Sequence, residues 1–145
     1  MPNICIIGLG NPGIKYNGTR HNVGKDWVKS FATDHNLSLK SHKKIESTVA
    51  SSTDDKILWG YPDQYVNESG RSIKKIIKTN NFNLEQIIVI HDDLDLPTGS
   101  LKLKIGGGHG GHNGLRDTIK ALNSKDFYRL RIGIAHPGSK DCLLY

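Results

Sequence analysis

Side chains suited to proton transfer occur at two separate points of the sequence. His21 lies in the loop-like stretch Thr-Arg-His-Asn, and a histidine in such a loop is free to accept a proton near neutral pH. Asp92 lies at the end of the β-branched run QIIVIHDD, where a carboxylate could orient an imidazole and stabilise its protonated form. A turn or cap role explains Asp92 equally well when it is considered alone. Together the two residues indicate a general base that activates water.

Three asparagines at turns beside predicted elements, Asn11, Asn67 and Asn113, add neutral hydrogen-bonding groups. Each alone is more typical of a turn, but together they could hold a water, a carbonyl oxygen or a peptide backbone. The chain offers no good covalent nucleophile. Ser69 lacks the preceding glycine of a nucleophile elbow and is expected to cap a helix, while Cys5 falls inside an apolar run. These residues favour a hydrolytic site in which water is the nucleophile.

The glycine-rich run IGGGHGGHNGL, residues 105–115, admits three interpretations: a phosphate cradle, a metal site or a bend. It half-matches a P-loop, but His112 and Asn113 stand where that loop needs lysine and then serine or threonine. His109 and His112 could in principle converge on a metal with the stretch His91-Asp92-Asp93. Two glycines separate the histidines, however, so no helix fixes them on one face. We therefore favour hydrogen-bonding histidines and expect no metal.

A second glycine pattern, Gly8, Gly10 and Gly13, matches the dinucleotide-binding fingerprint directly after a predicted strand. Pro12 would break the helix that must begin there to receive a pyrophosphate. We therefore reject dinucleotide binding and expect these glycines to shape a turn that presents Asn11.

Basic residues give the chain a formal net charge of +6 and an isoelectric point near 9.3, which is compatible with a polyanionic partner. Lys102 and Lys104 share a face of one predicted strand, and Arg129 and Arg131 share a face of another. If the two strands are neighbours, these four side chains form a patch suited to phosphate. The alternative is an ordinary solvated edge, where lysines discourage strand pairing.

The elements that must position these residues alternate between strands and helices. This order predicts a single three-layer α/β/α domain around a mixed, mostly parallel twisted sheet. Apolar runs and alternation predict strands at 3–9, 45–52, 56–61, 86–93, 100–105 and 128–134. Helical spacing of apolar residues predicts helices at 22–35, around 73–77 and at 113–122.

The composition fits one globular domain of 145 residues, with 36% hydrophobic and 23% charged residues. No apolar run approaches the roughly 20 residues that cross a bilayer, and the N-terminus lacks the features of a signal peptide. Cys5 and Cys142 are the only cysteines, so a disulfide framework is not expected. We therefore predict a cytosolic protein with no membrane association.

Four segments of the chain resemble the bacterial-type peptidyl-tRNA hydrolases in order and spacing. They are GLGNPGIKYNGTRHNVG, NESG, HDDLDLPTGSLKLKIGGGHGGHNGL and RLRIGIAHP, and the resemblance covers residues 3–138. It implies a monomeric α/β enzyme that hydrolyses the ester between a peptide and the 3′ end of tRNA. It also implies that no metal or organic cofactor takes part.

The same resemblance implies roles for individual residues. His21 would be the general base and Asp92 would orient it, while Asn113 would stabilise the charged oxygen. Lys104 and Arg131 would grip the tRNA terminal phosphate. Val66 stands where the family usually has methionine. The positions implied to contact peptide or tRNA are Asn11, Tyr16, Val66, Asn67, Lys104, His112, Asn113 and Arg131.

Family members usually continue beyond the last of these motifs through a lid-like segment and a C-terminal helix. The chain ends at Tyr145, so residues 1–145 are expected to form the family's domain without that region. Two other hypotheses remain open beside the enzyme: a non-catalytic RNA-binding protein on the same scaffold, and an inactive shortened remnant.

Overall fold

The structure, a computed structural model, describes residues 2–10 and 22–134, which contain seven strands and three α-helices. The strands are β1 (Ile4–Gly8), β2 (Lys40–His42), β3 (Ser47–Ser51), β4 (Ile57–Pro62), β5 (Ile87–Asp93), β6 (Leu101–Ile105) and β7 (Tyr128–Gly133). The helices are α1 (Val23–Asp34), α2 (Ser69–Asn80) and α3 (Asn113–Leu122). Three short 3-10 helices lie at Lys43–Ile45, Val66–Glu68 and Leu84–Gln86.

All seven strands form one sheet in the order β2-β3-β4-β1-β5-β7-β6. The central pairs, β4 with β1, β1 with β5 and β5 with β7, are parallel, whereas the pairs at both edges are antiparallel. The predicted mixed sheet is therefore confirmed, with its parallel pairing in the centre. Strand β2 was not predicted because its three residues are polar and exposed, and it exists through pairing with β3.

The sheet is covered by helices on both faces. Cys5 and Ile7 of β1 belong to the hydrophobic core under α2 and α3, whereas Ile90 of β5 packs with Val28 of α1 on the opposite face. Because successive strand residues point to opposite faces, the continuous apolar runs of β1 and β5 serve both cores at once. The predicted three-layer arrangement is confirmed.

Helix α2 begins differently from the prediction. Ser69 is its first residue rather than its N-cap, and the Ser69 hydroxyl donates to the carbonyl of Val66 at 2.6 Å. The backbone N–H of Gly70 is instead bound by the carboxylate of Asp117 in α3, at 2.7 Å. One of the free N–H groups in the first turn of α2 thus finds an acceptor on a neighbouring helix, which ties α2 to α3.

Gly8 has a packing role rather than the predicted role in a turn. It lies within β1, and a side chain there would collide with the backbone of Gly24 in α1. The bare glycine lets the start of α1 approach the sheet closely. Asn11, which this turn was expected to present, lies outside the described residues together with Gly13.

The structure also shows the environment of Cys5 and the lengths of the helices. Cys5 is fully buried in β1, and burial raises the pKa of its thiol far above its ordinary value, so it is an inert core residue. Within residues 2–10 and 22–134, no helix is long and apolar enough to span a membrane.

Candidate active site

A crevice of about 490 Å³ opens at the carboxyl ends of β5 and β7, beside the start of α3. Ligands of open α/β sheets bind at this end of the strands. Among its lining are six of the ten residues to which a site role was assigned: Val66, Asp92, Lys104, His112, Asn113 and Arg131. Of the other four, Asn11, Tyr16 and His21 lie outside the described residues, and Asn67 is considered below.

Asp92 and His112 form a hydrogen-bonded pair in this crevice. The Nε2 of His112 lies 2.8 Å from Oδ1 of Asp92, and both side chains are largely buried. The Nδ1 of His112 accepts from the backbone N–H of Leu115 at 3.2 Å and so caps α3. Because Nδ1 is an acceptor, the ring proton of a neutral His112 must reside on Nε2 and point to Asp92. His112 is therefore a fixed donor rather than a free base.

His91 is a buried histidine beside this pair, and its sequence position indicated no role beyond the metal site considered above. Its Nδ1 donates to the backbone carbonyl of Asp92 at 2.8 Å, and its ring meets that of His112 edge-on at 5.2 Å. Its Nε2 has no hydrogen-bond partner within the described part of the chain. Burial lowers the pKa of His91 to about 4, so this imidazole is neutral near pH 7.

The histidines of the glycine-rich run are engaged in hydrogen bonds. His109 accepts from the N–H of Gly111 through Nδ1 at 3.0 Å, and His112 uses both of its ring nitrogens as described above. In the described ranges, no group of three or more histidine, cysteine, aspartate or glutamate side chains is arranged to hold a metal.

The glycine-rich run connects β6 to α3 through backbone conformations that side chains rarely adopt. Gly106, Gly107, Gly110 and Gly111 have positive φ angles of 71°, 94°, 54° and 82°. The backbone from Gly108 to Gly111 lines the crevice. Glycine is required here because the left-handed conformation is open to it at no steric cost. The run thus brings bare backbone to the crevice wall and delivers His112 and Asn113 at the start of α3.

The four predicted basic residues lie on neighbouring strands, as the phosphate-patch hypothesis required. Lys102 pairs with Arg131, and Lys104 pairs with Arg129, in the antiparallel register of β6 and β7. Arg129, however, is only 2% exposed, so the prediction that it belongs to an exposed patch was wrong, although it lines the same crevice as Lys104 and Arg131. Lys104 and Arg131 line the crevice, and Lys104 is exposed.

Arg129 instead holds the glycine-rich run against the sheet. Its guanidinium donates to the backbone carbonyls of Gly108 and Lys125, and it stacks 4.6 Å from the ring centroid of Phe127. Burial lowers the pKa of Arg129. A fixed guanidinium that satisfies two carbonyls restrains the middle of the run, and this function could not be read from strand alternation.

Arg131 is paired with an acidic neighbour on β5. Its Nε lies 2.7 Å from Oδ2 of Asp93. Burial raises the pKa of Asp93, but the hydrogen bonds from Arg131 and from the N–H of Asp95 outweigh this effect and hold the pKa below its ordinary value. Lys104 thus presents its positive charge to the crevice more fully than Arg131 does.

Val66 and Asn67 lie in the short helix Val66–Glu68 that leads into α2. Val66 lines the crevice and packs against Gly114, where an added side chain would come within 2.8 Å of Cγ2 of Val66. Asn67 is exposed, and it is not part of the crevice wall formed by the described residues. Its role in holding peptide or water stays a prediction.

The fold and the site define an α/β protein whose polar crevice lies at the carboxyl ends of a parallel sheet core. The sequence model of the peptidyl-tRNA hydrolase family matches residues 5–145, and the chain belongs to this family. It is 48% identical to the peptidyl-tRNA hydrolase of Coxiella burnetii over 136 residues, which span 94% of this chain and 72% of that relative. The identity to the Vibrio parahaemolyticus peptidyl-tRNA hydrolase is 49%, over 97% and 74% of the two chains.

A solved structure gives the same assignment. The crystal structure of peptidyl-tRNA hydrolase from Acinetobacter baumannii superposes with a TM-score of 0.87 at 42% sequence identity. The match covers 97% of this chain and 73% of that one. The resemblance inferred from the sequence motifs is confirmed at the level of the family.

Proposed function

We propose that this chain hydrolyses the ester between a peptide and the 3′ end of tRNA, the activity for which its relatives are named. The observation that carries the proposal is the Asp92–His112 pair, which lies in a crevice together with Lys104 and Arg131. A carboxylate and a histidine fixed beside two cations suit a substrate that carries both an ester and phosphates. We further propose that the protein acts in the cytosol, as a monomer and without a metal or organic cofactor.

In the proposed reaction His21 is the general base. Support comes from its place in the chain, since it immediately precedes Asn22, which is fully buried. A side chain on Gly10 would touch Asn22, and the N–H of Leu9 donates to the carbonyl of Ile90 at 3.0 Å. The described residue next to His21 is therefore packed at the carboxyl ends of β1 and β5, which is also the end of β5 that carries Asp92.

The proposed step conserves atoms and charge. His21 takes a proton from water as the water oxygen attacks the ester carbonyl, which leaves a tetrahedral oxyanion. The amide of Asn113 and the N-terminal end of α3 would stabilise that negative charge. Collapse breaks the bond to the ribose oxygen, which receives the proton from His21. The immediate products are a free tRNA 3′ end and a peptide carboxylic acid, which then releases its proton to solvent and becomes a carboxylate.

The remaining residues would bind the substrate. Lys104 and Arg131 would hold tRNA phosphate, and contacts from Asn11 and Asn67 to peptide backbone would permit many peptide sequences. Val66 is proposed to provide an apolar wall for the substrate, and Tyr16 to contact it.

The test is single-turnover hydrolysis of peptidyl-tRNA by the 145-residue chain, with filter binding of deacylated tRNA measured in parallel. We expect His21→Asn to abolish hydrolysis while tRNA binding changes little, and the exposed control His42→Asn to leave both unchanged. Full turnover in the His21 variant would refute the assigned base, and loss of turnover in EDTA would refute a metal-free mechanism. A wild-type chain that binds tRNA without hydrolysing it would support the non-catalytic alternative.

A further inference from the structure

The positive charge of this protein is concentrated in two short segments outside the crevice. Residues 40–46 and 69–80 contain seven of the 20 lysines and arginines but only one of the 14 acidic residues, Glu46. Their combined formal charge equals the +6 of the whole chain, so the remaining residues are balanced overall. The seven basic residues, called here the α2 patch, are Lys40, Lys43, Lys44, Arg71, Lys74, Lys75 and Lys78.

The fold brings the two segments of the α2 patch together. The hydroxyl of Ser72 in α2 donates to the backbone carbonyl of Glu46 at 3.2 Å. Lys44 then shares a shallow hollow with Lys75 and Lys78. The four basic residues of α2 follow a spacing of three, four and seven residues, which places them on one helical face. The opposite face of α2 carries the buried Ile73 and Ile76.

Little of this charge is neutralised by acidic neighbours. The carboxylate of Glu46 forms ion pairs with both Arg71, at 2.6 Å, and Lys75, at 3.3 Å. Across residues 2–10 and 22–134, the other five basic side chains of the α2 patch have no carboxylate within 4.0 Å. All five are exposed. An exposed surface of uncompensated lysines attracts polyanions through their phosphates.

The α2 patch begins close to the crevice and leads away from it. Helix α2 starts directly after Val66–Glu68, and Val66 lines the crevice. From Arg71 to Lys78 the helix advances about 10 Å along its axis. The α2 patch therefore lies on the far side of Val66 from the crevice. Lys104 and Arg131 reach the crevice from strands β6 and β7 instead.

We propose that the α2 patch binds phosphates of the tRNA body while the crevice holds the 3′ end. This inference rests on the proposed function, because it assigns a further surface to the same substrate. Lysines are flexible point charges that contact phosphate without reading bases, which suits an enzyme that must accept tRNAs of different sequence. The patch would therefore contribute affinity for full-length tRNA but nothing to the chemical step.

The experiment compares two triple variants that remove equal charge. The patch variant is Lys44→Gln, Lys74→Gln and Lys78→Gln, and the control is Lys29→Gln, Lys56→Gln and Lys120→Gln, from three other regions of the chain. Each is assayed on full-length peptidyl-tRNA and on a peptidyl ester of the trinucleotide CCA. Binding of deacylated tRNA is measured from 50 to 200 mM salt.

For the patch variant we expect KM on full-length substrate to rise about tenfold with kcat unchanged, and KM on the trinucleotide ester to stay the same. The negative slope of log K against log salt should become shallower by roughly 2 to 3 for three lost phosphate contacts, and the control should match wild type. Equal behaviour of the two triple variants, or equal losses on both substrates, would overturn the proposal. A wild-type chain that hydrolyses neither substrate would refute the proposed function. The binding of deacylated tRNA by the two triple variants would then test the α2 patch independently of hydrolysis.

Discussion

Replacing His91 by asparagine should reduce the amount by which the free energy of unfolding falls when the pH is lowered from neutral to mildly acidic. His91 is 4% exposed and its Nδ1 donates to the carbonyl of Asp92, so the folded protein holds the ring neutral. Burial lowers the pKa of His91 from the ordinary 6.5 to about 4. The unfolded chain therefore binds a proton between pH 6.5 and 4 that the folded protein does not, and protonation favours unfolding as the pH falls through this window.

The magnitude follows from the size of the pKa difference. A displacement from 6.5 to about 4 corresponds to about 3 kcal/mol when the pH has fallen below both values. Roughly 2 kcal/mol of this is already lost by about pH 5. In His91→Asn, the side-chain Nδ2 can replace Nδ1 as donor to the Asp92 carbonyl but cannot titrate. The variant loses some packing at pH 7.5, and its stability should then change less on acidification than that of wild type.

The assay is urea denaturation followed by circular dichroism at pH 7.5 and pH 5, with His42→Asn as the exposed control. The other six histidines and the acidic groups are present in both proteins, so the difference between wild type and variant reports on His91. We expect the free energy of unfolding of His91→Asn to fall by about 2 kcal/mol less than that of wild type between the two pH values. An identical fall in both proteins, or an NMR titration of the His91 ring near pH 6.5, would refute this reasoning.

Three further predictions concern groups that position the site. Asp117→Ala should lower the free energy of unfolding by about 1–3 kcal/mol, because the N–H of Gly70 loses its acceptor, and Asp117→Asn should lower it less, as measured by urea denaturation. Arg129→Met should destabilise the protein by a similar 1–3 kcal/mol and raise KM, since the carbonyl of Gly108 is released, while the exposed Arg116→Met should do neither. Lys104→Gln should reduce the salt dependence of tRNA binding more than Arg131→Gln, because Asp93 already compensates Arg131; the opposite order in a salt titration would contradict this pairing.

The sequence was sufficient to predict those elements whose own residues carry the apolar pattern of a strand or a helix. The strands β1 and β5 carry apolar residues on both faces, and α1 and α3 match the predicted 22–35 and 113–122 closely. Strand β2 has no such pattern, and its three exposed residues become a strand only through pairing with β3. The start of α2 was also misjudged at Ser69, because its acceptor comes from Asp117, 47 residues away from Gly70.

The candidate site likewise depends on long-range contacts that a local sequence pattern does not reveal. Asp92 was recognised from its place at the end of a buried strand, but its contact with His112 spans 20 residues and depends on where α3 begins relative to β5. Strand alternation correctly placed Arg129 and Arg131 on one face. It could not reveal that Arg129 is buried under the glycine-rich run, since burial is decided by the loop that covers the strand and not by the strand itself.

The glycine-rich run is therefore better understood as a restrained connection than as a flexible binding loop. Its glycines allow the unusual backbone path, but glycine alone would leave that path poorly defined, since it adopts many conformations. Arg129 fixes the carbonyl of Gly108 in the middle of the run, and His112 fixes its end by capping α3 and donating to Asp92. A substrate that enters the crevice would then meet a wall that is already ordered, so little binding free energy would be lost in ordering the loop. For this reason changes at Arg129, which anchors this wall and is itself part of the crevice lining, should alter KM although its side chain is almost completely shielded from solvent.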